Sequence, residues 1–277
     1  MKSLFLKIVA AVFAVAIISV SCKKESTPTD PTPEDPYADL YKVGESAITG
    51  TGLTVTLYMD EEPFMGYNYV YAVVKDDVTG DFVENANVTF KPMMDMGSMM
   101  HSAPLEQPIW NADWNAYKGT VTFIMPSAGG TWTVTVNATN PVTLDQGEAV
   151  INVNVITNVE PRLFSFISAV DNAKIFVALT DPREPVVGMN DFGLVIYSKQ
   201  DMYTFPPVSD LKIEIEPEMP TMGHSSPNNV NPTAEDFGHY MGQVNFTMTG
   251  YWKVNLTIKD AQDQLMWDQG YFDITFQ

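Results

Sequence analysis

The sequence is poor in the residues that most often betray chemistry. It holds one cysteine, Cys22, so no intrachain disulfide can form and no cysteine pair can bind a metal. It has 3 histidines, none in a His-Glu-x-x-His frame, and neither a glycine-rich phosphate loop nor a Gly-x-Ser-x-Gly elbow. Basic residues are scarce, 15 Lys and Arg against 34 Asp and Glu, and no basic stripe interrupts the formal charge of −19. That balance speaks against nucleic acid as a partner. No stretch carries a sustained helical stripe of apolar residues. The acidic pairs Glu61-Glu62 and Asp76-Asp77 fall in turn-like segments and read as solvated faces. No enzyme is expected.

What is present begins with an apolar run from Ile8 to Val20 behind Lys2 and Lys7, followed by Ser21-Cys22. The run is short for a membrane-spanning helix, which needs about 20 residues, and it has the build of a secretory leader. Cys22 at its end resembles the lipidated cysteine of a bacterial lipoprotein, with Ser19 standing where leucine is usual; an ordinary leader with an incidental cysteine is the alternative. Next come Ser26 to Pro36, rich in proline, threonine and acid and without a large apolar residue, a composition that favours a solvated tether. The expected plan is a leader over 1–21, a tether over 22–46, and two folded copies over 47–157 and 158–277.

From Ala47 onward the apolar pattern has period two. Leu53, Val55 and Leu57 alternate with Thr54, Thr56 and Tyr58, and similar runs recur at Tyr69–Val74, Gly119–Met125, Thr131–Val136 and Ala149–Val155. Short β-branched and aromatic runs broken by Asp-Asp, Thr-Gly and Gly-Gly predict antiparallel strands packed as a sandwich. The plan then repeats. Pro63, Gly66 and Asn68 are answered by Pro185, Gly188 and Asn190; Tyr117, Gly119, Val121, Phe123 and Met125 by Tyr240, Gly242, Val244, Phe246 and Met248. So long a run of matches marks a duplication. The fold class expected is all-β, with two tandem immunoglobulin-like antiparallel β-sandwiches.

Inside each copy lies a methionine-rich segment. The first packs five methionines between Met93 and Met100, before His101. The second reads Met219-Pro-Thr-Met222-Gly-His224. Both fit Met-x-x-Met-x-His-Ser-x-Pro, at Met96, Met99, His101 and Pro104 and at Met219, Met222, His224 and Pro227, and their glycine, serine and proline predict an irregular loop at one end of a sandwich. Thioethers are soft, uncharged donors suited to copper(I), and imidazole serves copper and zinc alike. Met96, Met99 and His101, with Met219, Met222 and His224, are therefore the candidate metal ligands; Met93, Met94 and Met100 are spare donors in the first copy and His239 in the second. Alternatively these methionines fill the end of a core beside Trp110, Trp114 and Tyr117.

The order of strand, Met-x-x-Met-x-His-x-x-Pro loop, Tyr-x-Gly-x-Val-x-Phe-x-Met and Trp-x-Val resembles the YtkA-like and FixH-like domains of bacterial envelope proteins. The resemblance covers both copies and implies immunoglobulin-like sandwiches and, for several members, copper handling or copper-oxidase assembly. The membrane helix of FixH-like proteins is missing here. Two functions are expected from different classes. One is a lipid-anchored protein of the cell envelope, facing the periplasm or on the outer membrane, that captures, buffers or hands over copper to an envelope protein partner and touches the membrane through its lipid alone. The other is a non-catalytic module presenting Trp110, Trp114 and Tyr117 to a glycan or protein.

Overall fold

The computed structural model describes residues 35–277, so the expected leader, Cys22 and the first part of the tether lie outside the described residues. The first half of the chain forms β1 (Tyr41–Ile48), β2 (Leu53–Met59), β3 (Gly66–Asp76), β4 (Asn87–Asp95), β5 (Met100–His101), β6 (Leu105–Asn111), β7 (Ala116–Phe123), β8 (Thr131–Thr139) and β9 (Gln146–Val153). The second half forms β10 (Leu163–Ile167), β11 (Lys174–Asp181), β12 (Gly188–Lys199), β13 (Lys212–Met219), β14 (His224–Ser225), β15 (Val230–Ala234), β16 (His239–Phe246), β17 (Gly250–Lys259) and β18 (Leu265–Phe276). Among the described residues no helix is long and apolar enough to cross a membrane.

The strands assemble into two sandwiches of one design. In the first, the sheet β1-β2-β3-β7-β6 faces β5-β4-β8-β9; in the second, β10-β11-β12-β16-β15 faces β14-β13-β17-β18. Each strand of the second copy follows its counterpart nine strands later, and every pairing is antiparallel. The alternation read in the sequence drives this arrangement: Leu53, Val55, Leu57 and Met59 of β2 are buried while Thr54, Thr56 and Tyr58 are half exposed. Trp132 and Phe123 anchor one core, Trp252 and Phe246 the other, all of them fully buried. Removing each such side chain from water is worth roughly 1.5–3 kcal/mol.

Much of the repeated sequence frame has a structural task. Asn68 Nδ2 donates to the carbonyls of Phe64 and Gly66 at 2.9 and 2.8 Å, and Asn190 donates likewise to Val186 and Gly188 at 2.8 and 2.9 Å, closing equivalent turns. Tyr117 donates to Val83 O at 2.8 Å and accepts from Ala86 N at 2.7 Å. Tyr240 does the same with Val208 O at 2.9 Å and Leu211 N at 3.0 Å. Burial first of all pushes both phenols up to about 12. These are corner tyrosines, each tying a loop to the strand that carries it.

Two sequence expectations are corrected. Order starts before Ala47: β1 begins at Tyr41, pairs with Met59 of β2, and is preceded by Tyr37, which is buried against the ring of Tyr58. Proline-rich composition next door concealed these two anchoring tyrosines. The methionine segments are not irregular loops either. β4 continues through Asp95 and turns back into β5, with Met94 paired to His101 and Asp95 to Met100. The turn itself is only Met96 to Met99, closed by Met96 N donating to Met99 O at 3.0 Å, with Gly97 at φ +79°.

Pro36–Gln277 pack as one compact unit. Between the sandwiches, Tyr67 and Tyr69 of the first meet Phe176, Tyr197 and Phe205 of the second in a shared apolar cluster. Arg183 fastens the junction: it pairs with Asp60, reaches Glu61 at 3.0 Å and donates to Tyr67 O at 3.0 Å. Glu61, read from sequence as a solvated acid, is thus part of this clamp. Burial outweighs the arginine at Asp60 and holds its pKa above the usual carboxylate value.

Candidate functional site

Register decides what the methionine hairpins can do. Met94 is paired on one side with His101 and on the other with Trp132, so the three stand in one row across β5, β4 and β8. Residues directly opposite one another in a sheet share a face. That face is the inner one: Met94 and Trp132 are fully buried and His101 is 4% exposed. The His101 ring lies edge-on to the indole, centroids 5.2 Å apart at 84°. Trp132 is fixed by Phe123, 5.1 Å away, and by its Nε1–H donating to Met125 O at 2.9 Å.

The imidazole is held in one tautomer. Its Nδ1 lies 2.8 Å from Ser102 O, and since a carbonyl only accepts, Nδ1 carries the proton. Nε2 is left with a bare lone pair, buried and without any hydrogen-bond partner. An orphaned buried acceptor costs about 1–3 kcal/mol, so native folds rarely leave one without a use. A ring anchored by Nδ1–H to a carbonyl, with Nε2 free, is also how proteins present histidine to metals.

Room for sulfur is built in next door. A Cβ on Gly129 would lie 3.3 Å from the Met125 methyl and 3.5 Å from that of Met94; one on Gly130 would meet Met94 at 3.1 Å and Asp95 O at 2.3 Å. The glycine pair therefore cradles two thioether ends. Met96 is half-buried at the edge of the same core, whereas Met99 and Met100 project to solvent, 51% and 45% exposed. Of the three expected ligands in this copy, the structure turns His101 inward, leaves Met96 at the edge of the core and turns Met99 outward. The sequence reading held Met94 only as a spare donor and did not single out Met125.

The second copy repeats the row with a shorter turn. Met219 pairs with His224, and Pro217 with Val254, as Pro92 pairs with Val134 in the first. Hence the counterpart of Met219 is Met94, not Met96: the first hairpin has two extra residues, and aligning by the histidine alone shifts the methionines. The Pro-x-Met pairs at Pro92-Met94 and Pro217-Met219 carried the correct register. Met219 is buried, His224 is only half-buried, and its ring centroid is 5.9 Å from that of Trp252. Trp252 Nε1 donates to Met248 O at 3.0 Å, matching Trp132 and Met125. Met222 is 60% exposed and turned away.

The remaining candidates separate cleanly. His239 is no donor to the second hairpin; its Nε2 meets Glu106 Oε1 of the first sandwich at 2.7 Å. Trp110, Trp114 and Tyr117 form no exposed platform. Tyr117 is buried, Trp110 packs edge-on to it at 5.2 Å, and Trp114 leans on Tyr71 at 5.2 Å. Among the described residues no group of three or more His, Cys, Asp or Glu side chains could hold a metal.

Comparison with known proteins gives the following. No curated protein matches the chain. Among solved structures it is similar to FdeC, a broadly conserved adhesin of Escherichia coli, at 14% identity over 83% of this chain and 66% of that one, TM-score 0.25. It is similar to a DUF4785 family protein of Legionella pneumophila at 10% identity over 82% of this chain and 57% of that one, TM-score 0.28. It is also similar to the D00-D0 domain of intimin, at 9% identity over 80% of this chain and 100% of that one, TM-score 0.24. The chain thus spans less than two thirds of the adhesin and of the Legionella protein. Residues 169–257 match the YtkA-like family, a span that takes in Met219, His224 and Trp252. The match to the YtkA-like family thus covers most of the second sandwich.

Proposed function

We propose that this is an exported, lipid-anchored envelope protein that binds a soft metal ion, copper(I), without catalytic turnover. His101 Nε2 would be the nitrogen donor and Met94 the first sulfur, with Met96 and Met125 within the same inner end of the sandwich. The second copy offers Met219 and His224 in a more open version. Bound copper would supply no reaction here; the site holds the ion for buffering or handover to an envelope partner.

The single observation that carries this reading is the buried, unpartnered lone pair of His101 beside two sheltered thioethers. A hard cation would find no oxygen cluster there, whereas copper(I) is matched to sulfur and imidazole and gains from a nearby indole. Titration of tag-free protein with copper(I) against a competing chelator tests it. Tight binding of one equivalent that is lost in His101→Phe combined with Met94→Leu, both near-isosteric, is expected. Unchanged affinity in that variant, shown to be folded by its thermal transition, would refute the site.

A further inference from the structure

A cavity of about 610 Å³ opens between the two sandwiches, and none of its lining residues belongs to the hairpins' inner row. Rings from both copies line part of it, Tyr67 and Tyr69 from the first and Tyr197, Phe205 and Phe237 from the second. The size is that of a small-molecule pocket, and domain junctions are common places for one. Phe237 draws notice by itself. It sits in a short 3-10 turn, Asp236–Gly238, at φ +56°, a region that disfavours bulky side chains, and it is 71% exposed at the cavity rim. Strain of this kind costs of order 1–3 kcal/mol and collects at sites with a task.

The polar groups narrow the ligand class. Gln107 has spent both ends of its amide on the Phe90 backbone, at 2.8 and 3.0 Å, and Asn111 Oδ1 accepts from Trp114 N at 3.1 Å. Lys118 is drawn over the faces of Tyr69 and Tyr71, at 4.3 and 5.5 Å. Too few free groups remain to satisfy the many hydroxyls of a sugar. What is left is acceptor capacity. Glu106 takes His239 at 2.7 Å and the Tyr67 hydroxyl at 3.4 Å through one oxygen, out of about four lone-pair sites. Ring faces and a carboxylate with acceptor capacity to spare, in a chain of charge −19, favour a positive, proton-donating head on an apolar frame.

We propose that this cleft binds a small primary ammonium compound with an aromatic or aliphatic body, its head on Glu106 and its body between Phe205 and Phe237. The proposal is independent of the copper site, and chelator-stripped protein is used so that failure of one leaves the other intact. The probe is 2-phenylethylammonium, followed by calorimetry, with phenylacetate and maltose as comparison ligands. Saturable binding of the amine is expected, weakened about tenfold or more by Glu106→Gln and severalfold by Phe237→Ala, with the anion and the sugar inert. Thermal melting confirms that both variants are folded. Absence of saturable amine binding would overturn the assignment. So would equal binding of phenylacetate, binding of maltose instead, or affinity untouched by both substitutions.

Discussion

The two methionine hairpins stand on the same scaffold, strand for strand, and differ in what they shut away. In the first, the imidazole is buried, pinned through Nδ1 and orphaned at Nε2. In the second, the ring is half-buried and stands farther from its tryptophan, 5.9 Å against 5.2 Å. The shorter turn of the second copy keeps the Met–His pairing but leaves its histidine closer to water. Duplication has therefore preserved the row of Met, His and Trp while allowing its accessibility to diverge. Under the copper proposal, the closed version would suit tight holding and the open one easier exchange.

The largest expected effect on binding tests that difference directly. His101→Phe should lower copper(I) affinity of the first site by about a hundredfold or more, beyond the roughly 10–100-fold typical of losing a supporting group, and His224→Phe should cost the second site about tenfold. Equal losses by chelator competition would erase the distinction between the copies. In stability, the largest effect falls on the scaffold itself. Trp132→Ala and Trp252→Ala should each destabilise by about 3–5 kcal/mol in denaturant unfolding, because both side chains are fully buried. A marked inequality would show that the two cores are not energetic equivalents.

The corner tyrosines give a pH test. Each phenol holds its proton to about 12 in the fold against an ordinary 10.0, so the folded state binds more protons than the unfolded chain in that window. Stability then falls as pH rises from 10.0 to about 12, by up to roughly 2 kcal/mol per group, and is intact below 10.0. Tyr117→Phe or Tyr240→Phe should lower neutral-pH stability by about 1–2 kcal/mol and flatten part of that alkaline decline, seen in melting temperatures across the range. The smallest effect concerns turn length. Exchanging residues 95–100 for Pro220-Thr221-Met222-Gly223 should change stability by less than about 1 kcal/mol. Copper affinity of the first site should stay within severalfold, since Met94, Met125, His101 and Trp132 remain; a collapse would make Met96, Met99 or Met100 an essential donor.

Period-two alternation and the repeated Tyr-x-Gly-x-Val frame made the sandwiches legible in sequence, because each inward position answers to burial on a single face. The hairpins were harder to read. Glycine, serine and clustered methionine look irregular, yet β4 simply runs on to Asp95, and its partner strand β5 is two residues long. Pairing Met96 with Met219 was natural from the histidines, but strand register obeys the tryptophan across the sheet, and a turn can absorb two residues without shifting it. The tether obscured Tyr37 and Tyr41 because composition averages over neighbours. Nothing in spacing alone could show that His239 leaves its own copy for Glu106, or that Trp114 lies against Tyr71, since both depend on how separate strands are brought together.

Ser102 is where the imidazole meets the rest of the molecule. Its carbonyl receives the His101 proton at 2.8 Å, and its N–H donates across the junction to Met202 O of the second sandwich, also at 2.8 Å. Two consecutive peptide groups thus join the ring to the neighbouring sandwich with no flexible side chain between them. A pull on Nε2 that rotates the ring must tug this short length of backbone, and the loop around Met202 is at its other end. An occupant of the first hairpin would be felt next door as mechanical tension, an effect that hydrogen exchange at the Ser102 amide is placed to record.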